Sequence, residues 1–227
     1  MSESRVTPDE TGYNSILTAC EKGRQWEMVL WLLATMPSLR LEPDVVSYSA
    51  AISACEHGQW TMALQLVDEM VDAELVGDVI CFNSVLSALE SSGQWLLALQ
   101  MLQEMESFAV TPNVISFSTA VSACKQKWRT ALSMLFQVPC LEASPKEAYN
   151  SAIKACELAR QWRLPVRLIE DMLAAGTEPD AISFNDTITA FEHAGKPGLT
   201  IPVLMQLQHK YQGRCQAIDA ALPKVAD

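Results

Sequence analysis

The sequence predicts an all-α fold, a solenoid of about six stacked helical hairpins. Three landmarks recur in the same order along the chain: an aromatic residue, a tryptophan and a methionine. Between these landmarks, apolar residues recur at the 3.6-residue spacing of amphipathic helices. Because one hairpin cannot bury its own apolar faces, a chain that repeats a hairpin-sized pattern builds its core by stacking the copies.

The landmarks define the repeats. The aromatic residues follow one another at intervals of 35, 34, 35, 32 and 35 residues, at Tyr13, Tyr48, Phe82, Phe117, Tyr149 and Phe184. Tryptophan follows in five copies, at Trp26, Trp60, Trp95, Trp128 and Trp162, and the sixth copy has Pro197. Ten residues later come Met36, Met70, Met105, Val138, Met172 and Leu207. Three landmarks in register exclude a chance pattern.

Each copy predicts two helices. In YNSILTACEKG the apolar residues recur at helical spacing, and a glycine follows where a helix C-terminus favours the left-handed conformation. These glycines are Gly23, Gly58, Gly93 and Gly195. The second segment, QWEMVLWLLATM in the first copy, predicts an amphipathic helix of about three turns. A linker containing Pro43, Pro112 or Pro179 then ends three of the copies.

The cysteines are predicted to be core residues. Cys20, Cys55, Cys124 and Cys156 each follow an aromatic landmark by seven residues, and Leu89 and Phe191 occupy the same slot in the other copies. A slot that accepts Cys, Leu or Phe is an apolar packing slot. The sequence has no CxxC pair, so we expect no zinc site, and reduced thiols are typical of an intracellular compartment. No cofactor is predicted.

Composition indicates an ordered chain. Of its 227 residues, 49% are hydrophobic and 19% are charged, and the formal net charge is −11. The longest nearly apolar run, residues 28–36, is far shorter than the ~20 residues of a membrane-spanning helix. The first residues, MSESRVTPDE, show neither a secretory signal nor a transit peptide.

The repeat resembles a known helical-hairpin family. A tetratricopeptide repeat is disfavoured, because its W-x2-L-G-x2-Y pattern lies in the first helix and here tryptophan opens the second. The unit DVVSYSAAISACEHGQWTMALQLVDEM instead resembles the pentatricopeptide repeat of the plain P type over residues 10 to about 215. This resemblance implies a right-handed superhelix with six repeats, at residues 10–44, 45–78, 79–113, 114–146, 147–180 and 181–215.

The two ends of the chain fall outside these repeats. VTPDETGY, from Val6, aligns without a gap to VTPNVISF, from Val110. Residues 1–9 are therefore expected to be the end of a preceding or degenerate repeat, so the chain is either a fragment of a longer array or has a degenerate first repeat. Residues 216–227 are expected to form a C-terminal tail.

The resemblance implies that the chain binds single-stranded RNA and reads one base per repeat. In the family, the residue after the aromatic landmark and the last residue of the repeat together choose the base. The pairs here are Asn14 with Asp44, Ser49 with Asp78, Asn83 with Asn113, Ser118 with Lys146, Asn150 with Asp180 and Asn185 with Cys215. Counted back from Tyr149, the fourth pair ends in Pro145 instead. The implied target is 5′-U-G-C-x-U, with a pyrimidine next.

Other positions carry further expectations. By resemblance, the second residue of each repeat packs against the base, and it is Val46, Ile80, Ile115 or Ile182 in four repeats and Thr11 or Glu147 in the others. A lysine near the end of the first helix meets phosphate in the family, and only Lys22 fills that slot. The acidic row directly before this slot, Glu21, Glu56, Glu90, Glu157 and Glu192, predicts a solvated helix end.

Alternatives remain at this level. Asp44, Asp78 and Asp180 precede predicted helices, where an N-cap aspartate is common whatever the function, and capping does not exclude base selection. The acidic charge opposes strong RNA binding and favours a scaffold for protein–protein interaction. We expect no enzyme activity, no membrane contact and no small-molecule substrate. Resemblance alone implies RNA processing, stability or translation in the chloroplast or mitochondrion.

Overall fold

Twelve α-helices follow one another in the part of the chain that the structure, a computed structural model, describes: residues 10–136 and 146–210, with side chains to residue 207. They are α1 (Glu10–Lys22), α2 (Trp26–Thr35), α3 (Val45–Ala54), α4 (Trp60–Asp72), α5 (Val79–Ser91), α6 (Trp95–Ser107), α7 (Val114–Ala123), α8 (Trp128–Leu135), α9 (Lys146–Leu158), α10 (Arg163–Ala174), α11 (Ala181–His193) and α12 (Thr200–Lys210). Residues 10–136 and 146–210 contain no β-strand. The predicted all-α class is confirmed.

The helices form two compact units, residues 1–112 and 113–227. In the first unit, α3 contacts its hairpin partner α4 and packs against α1 on one side and α5 on the other. In the second unit, α9 contacts its partner α10 and packs against α7 and α11. Within each unit, the first helices of successive hairpins therefore stack on one another, as the predicted solenoid of hairpins requires.

The methionine landmarks form the core of these hairpins. The helix-end residues Met36, Met70, Met105 and Met172 are all 0% exposed, and Leu207 is buried as well. Val138, the counterpart in the fourth repeat, lies outside the described residues. Because a methionine side chain is flexible and fills irregular space, the same residue type can pack at this position in hairpins of slightly different length.

The landmark tryptophans are half-buried. Trp26, Trp60, Trp95 and Trp128 begin the second helix of their hairpins, and Trp162 stands directly before α10. The ring of Trp162 lies 5.4 Å from that of Phe191, which belongs to the next predicted repeat. Trp162 therefore packs against the first helix of the next predicted repeat.

In five of the described hairpins, the turn between the helices contains a left-handed residue two positions before the tryptophan slot. Gly58, Gly93 and Gly195 have φ of 105°, 69° and 68°, as predicted. The prediction for Gly23 is wrong, because the left-handed residue in the first hairpin is Arg24, with φ 56°. The second helix starts at Trp26, so the left-handed position two residues before it is residue 24. Gly23 lies one residue before that position.

The cysteine slot is buried in three of its four copies. Cys55, Cys124 and Cys156 are 0% exposed, and burial raises their thiol pKa to about 11, 11 and 12. Cys20 is partly exposed, so its prediction as a core residue is wrong. The contacts described for α1 are with α2 and α3 only, and Ile16 on the same helix is also exposed.

The described helices include none that is long and apolar enough to cross a bilayer.

Candidate nucleic-acid interface

A branched aliphatic side chain is exposed at the second position of four first helices. Val46, Ile80, Ile115 and Ile182 are 55%, 65%, 59% and 57% exposed. They stand next to helix N-termini, at the second residues of α3, α5, α7 and α11. The other two first helices, α1 and α9, have exposed Thr11 and Glu147 at this position. Exposed apolar side chains that recur at one repeat position indicate a contact surface.

The residue before each of these four helices caps it. Asp44 accepts a hydrogen bond from the Ser47 amide at 2.8 Å, and Asp78 accepts one from the Cys81 amide at 2.9 Å. The corresponding contacts of the other two caps are Asn113 with the Ser116 amide, at 3.0 Å, and Asp180 with the Ser183 amide, at 3.1 Å. These bonds satisfy donors that a helix N-terminus leaves free. The capping role left open by the sequence is confirmed at all three aspartates.

The predicted pair of the first repeat is in direct contact. Asn14 Nδ2 donates to the Asp44 carboxylate, at 3.2 Å from Oδ1 and 3.1 Å from Oδ2. The Ser47 hydroxyl donates to Asn14 Oδ1 at 2.7 Å and also lies 2.8 Å from Asp44 Oδ1. Asn14 is half-buried.

The fifth repeat has the same arrangement. Asn150 Nδ2 donates to Asp180 Oδ1 at 3.3 Å, and the Ser183 hydroxyl donates to Asn150 Oδ1 at 2.6 Å. Lys146 Nζ lies 3.9 Å from the other carboxylate oxygen of Asp180. Two repeats that lie in different compact units therefore have the same hydrogen-bond network around the predicted base-facing asparagine.

These bonds set the ionisation of the two aspartates. Burial acts to raise the pKa of Asp44, but the hydrogen bonds from Ser47 and Asn14 outweigh it and leave the pKa below its usual value. Burial likewise acts to raise the pKa of Asp180, and the bonds from Ser183 and Asn150 leave it lowered. Both carboxylates are therefore ionised at neutral pH and act only as acceptors.

The remaining predicted pairs are placed differently. Ser49 is half-buried and hydrogen-bonds the Cys81 thiol. Ser118 donates to the Ile115 carbonyl of its own helix at 3.0 Å, whereas Lys146 pairs with Asp180. Asn83 belongs to the first compact unit and Asn113 to the second. Asn185 is exposed, and its predicted partner Cys215 lies outside the described residues, as does Pro145.

The phosphate slot and the acidic row lie at the end of the first helices. Lys22 is exposed at the end of α1. The prediction of a solvated acidic row is wrong for Glu157, which is 2% exposed. Its carboxylate forms an ion pair with Lys154, and its Oε1 lies 3.4 Å from His193 Nδ1. Lys154 also reaches Asp186 at 3.3 Å, and a buried carboxylate requires such partners.

Sequence reasoning missed Ser47 and Ser183. Both are 0% exposed and bind the asparagine of the preceding repeat. Their signal was visible, because serine stands directly before the aromatic landmark in three repeats, at Ser47, Ser116 and Ser183. In residues 10–136 and 146–207, no three His, Cys, Asp or Glu side chains are arranged to hold a metal ion.

The fold and this surface define a class: helical-hairpin repeat proteins with polar and aliphatic side chains repeated along the first helices. Three family models match the chain: "Pentatricopeptide repeat domain" over residues 1–57, "PPR repeat" over residues 46–75 and "PPR repeat family" over residues 77–126. Together they cover more than half of it. The chain belongs to the pentatricopeptide repeat family.

Solved structures show the same fold. The crystal structure of the maize pentatricopeptide repeat protein PPR10 is 20% identical with a TM-score of 0.69, covering 89% of this chain and 30% of that one. PPR10 in complex with an 18-nt psaJ RNA element gives 20% identity and 0.64, covering 96% and 33%. The chain thus spans about a third of the length of these PPR10 chains.

A second solved protein matches this chain over almost the full length of both. The PPR domain of Arabidopsis thaliana protein-only RNase P 1, in complex with tRNA, is 11% identical with a TM-score of 0.52, covering 96% of this chain and 98% of that one. At these identities the likeness concerns the fold. A comparison with curated proteins gives no match.

Proposed function

We propose that the chain binds single-stranded RNA along its first helices and reads about one base per repeat. The observation that carries this proposal is the pairing of an exposed branched aliphatic side chain with a hydrogen-bonding Asn or Ser on the same helix. An aliphatic side chain offers apolar contact to a flat base, and an asparagine amide offers one donor side and one acceptor side to its edge. The RNA complex of PPR10, which has this fold, supports the proposal.

The predicted base choices belong to the same proposal. Asn14 with Asp44 and Asn150 with Asp180 would read U, Ser49 with Asp78 would read G, and Asn83 with Asn113 would read C. Ser118 with Lys146 is left without a base, and Asn185 would read a pyrimidine. The proposed target is therefore 5′-U-G-C-x-U followed by a pyrimidine, in an organellar transcript whose processing, stability or translation the protein controls.

Charge limits the affinity. The net charge is −11, and exposed Lys22 is the lysine in the phosphate slot. Lys154, on the fifth repeat's first helix, is tied to Glu157 and Asp186. Few counterions are then released on binding, so we expect weak binding that is lost at moderate salt, with a shallow salt dependence.

A protein-binding scaffold is the second candidate function. The net charge favours it, because an acidic surface repels phosphate and attracts a basic peptide. The exposed aliphatic side chains would then contact the peptide rather than a base.

Fluorescence anisotropy with a short labelled RNA containing 5′-UGCAU separates the two candidates. Ile80→Ser removes an exposed aliphatic side chain from the second position of α5. If a base covers about 40 Å² of this side chain, the loss is about 1 kcal/mol, or about fivefold in affinity. Leu96→Ser is the matched control, since Leu96 is 56% exposed at the second position of α6 in the same repeat.

The expected result is weaker binding by the Ile80 variant and unchanged binding by the Leu96 variant, with unchanged thermal unfolding in both. Equal effects of the two substitutions would show that the aliphatic row does not contact RNA. Absence of RNA binding by the native chain at low salt would remove the RNA-binding proposal and favour the scaffold.

The base-reading part has its own test. Asn14→Ser should shift the preference at the first base from U toward G, with the α1 fold retained because Asn14 is half-buried and does not belong to the core. Binding of four RNAs that differ only at this base measures the preference. If the native chain and the variant rank the four bases alike, Asn14 does not read the base.

A further inference from the structure

Three side chains meet around each of two base-facing asparagines. In the first copy they are Asn14, Asp44 and Ser47, and in the second copy Asn150, Asp180 and Ser183. We call each set an Asn–Asp–Ser cluster. The serine belongs to the following repeat and is 0% exposed in both copies, so it cannot itself touch an RNA base.

The cluster fixes which way the asparagine amide points. The aspartate carboxylate only accepts hydrogen bonds, so the NH2 group of the asparagine must face it. The serine hydroxyl then donates to the amide oxygen, at 2.7 Å for Asn14 and 2.6 Å for Asn150. In both copies this contact is shorter than the distance from the same hydroxyl to the aspartate Oδ1, which is 2.8 Å and 3.2 Å.

Rotating the amide by half a turn would break both bonds. It would place the amide oxygen against the carboxylate, where two acceptors repel, and the NH2 group against the serine. In the first copy, Ser47 Oγ also lies 3.4 Å from the Asp44 backbone amide, and Ser183 Oγ lies 3.2 Å from the Asp180 backbone amide. Each of these backbone amides occupies one of the two acceptor sites of the serine hydroxyl oxygen, which leaves a single site for a rotated amide.

The orientation matters because pyrimidines present opposite patterns. Cytosine has a donor amino group where uracil has an acceptor carbonyl oxygen, and its ring nitrogen accepts where that of uracil donates. An amide free to rotate can hydrogen-bond either base. An amide held in one orientation can satisfy only one of them.

We infer that Ser47 and Ser183 are positioning residues that lock Asn14 and Asn150, so that the first and fifth repeats distinguish uracil from cytosine. This inference rests on the proposed RNA-binding function and deepens it: a third residue, contributed by the next repeat, sets specificity. The same slot holds Cys81 opposite Ser49 and Ala148 before Tyr149. Alanine has no donor, so the lock is absent from the fourth repeat.

The test compares two RNAs that differ only in U or C at the first base. Ser47→Ala should reduce the U-over-C preference about three- to tenfold, the worth of one hydrogen bond. Ser53→Ala is the matched control, because Ser53 Oγ bonds Ser84 Oγ at 3.0 Å between first helices without touching a base-facing residue. It should leave the preference unchanged. If Ser47→Ala weakens binding of both RNAs by the same factor, the U-over-C preference is unchanged and this serine acts only in the fold.

A second measurement needs no RNA. NMR relaxation of the asparagine side-chain amides should show a more mobile Asn14 NH2 group in Ser47→Ala than in the native chain, because only the Asp44 contacts then hold the amide, with Asn150 unchanged. Unaltered Asn14 relaxation would overturn the lock. If the native chain binds neither RNA, the proposed function fails and the inferred discrimination fails with it, whereas the relaxation data still decide the amide orientation.

Discussion

Replacing Ala109 by glycine should stabilise the protein. Ala109 follows α6 with φ 58°, a left-handed conformation that an L side chain adopts at a cost. Four hairpins have such a residue four positions after the methionine landmark: Arg40, Glu74, Ala109 and Gly176. Each turn is closed by a bond from the next amide back to the methionine carbonyl, such as Val110 to Met105 at 2.9 Å. The conformation is therefore required by the turn.

The magnitude follows from two opposing terms. A residue with a Cβ atom pays about 1–2 kcal/mol for the left-handed conformation, and glycine removes this cost. Glycine also makes the unfolded chain more flexible, which lowers the gain in stability by about 0.4–1 kcal/mol. Ala109→Gly should therefore raise the free energy of unfolding by about 0.5–1 kcal/mol. The fifth repeat offers the reverse change, because no atom lies within 4 Å of a Cβ built on Gly176. Gly176→Ala should then destabilise by a similar amount through strain alone.

Urea unfolding followed by circular dichroism measures both changes. The matched control is Ala175→Gly, since Ala175 has an ordinary φ of −77° and glycine there should cost about 0.5–1 kcal/mol. The reasoning is refuted if Ala109→Gly and Ala175→Gly destabilise the protein alike, because glycine would then act only through the unfolded chain.

Two further predictions concern titratable groups. Iodoacetamide should modify Cys20 in the native protein well before Cys55, Cys124 or Cys156, which are buried and have raised thiol pKa; mass spectrometry of the peptides measures this, and equal rates would contradict the described packing. The Asp44 carboxyl has a lowered pKa in the folded chain, so its contribution to stability is present above its usual unfolded pKa near 4 and is lost as pH falls through the folded value. Asp44→Asn should therefore cost stability at pH 6 and progressively less toward pH 3 in urea unfolding, and a cost independent of pH would exclude this linkage.

The periodic part of the structure could be predicted from the sequence. The buried methionines and the hairpins could be predicted because the landmarks recur at the same spacing in each repeat. The error at Glu157 falls where two repeats meet. Glu157 pairs with Lys154 of its own helix and lies 3.4 Å from His193 Nδ1 of α11, and only this second contact is invisible in the local sequence around Glu157.

The missed serines have the same cause. Ser47 lies 33 residues from the asparagine that it binds, so its role depends on how two first helices stack. The capping box at Asp44 could be expected from local sequence, whereas the direction of the Ser47 hydroxyl could not. Local chemistry therefore predicts the caps, and only the stacked structure shows that they reach the candidate interface.

In the proposed recognition, the last residue of a repeat couples base choice to the stability of the next helix. The last residue of four predicted repeats caps the first helix of the next, so a change at this proposed base-reading position also acts on a helix N-terminus. Asn113 shows that an asparagine can fill this role, because it accepts the Ser116 amide at 3.0 Å and forms the same capping box. Aspartate and asparagine both cap, but only aspartate lacks donors, and only aspartate therefore dictates how a neighbouring amide must face. In the proposed recognition, the choice between them leaves the helix capped while changing the hydrogen-bond pattern offered to a base, so that repeats of one fold would differ in what they read.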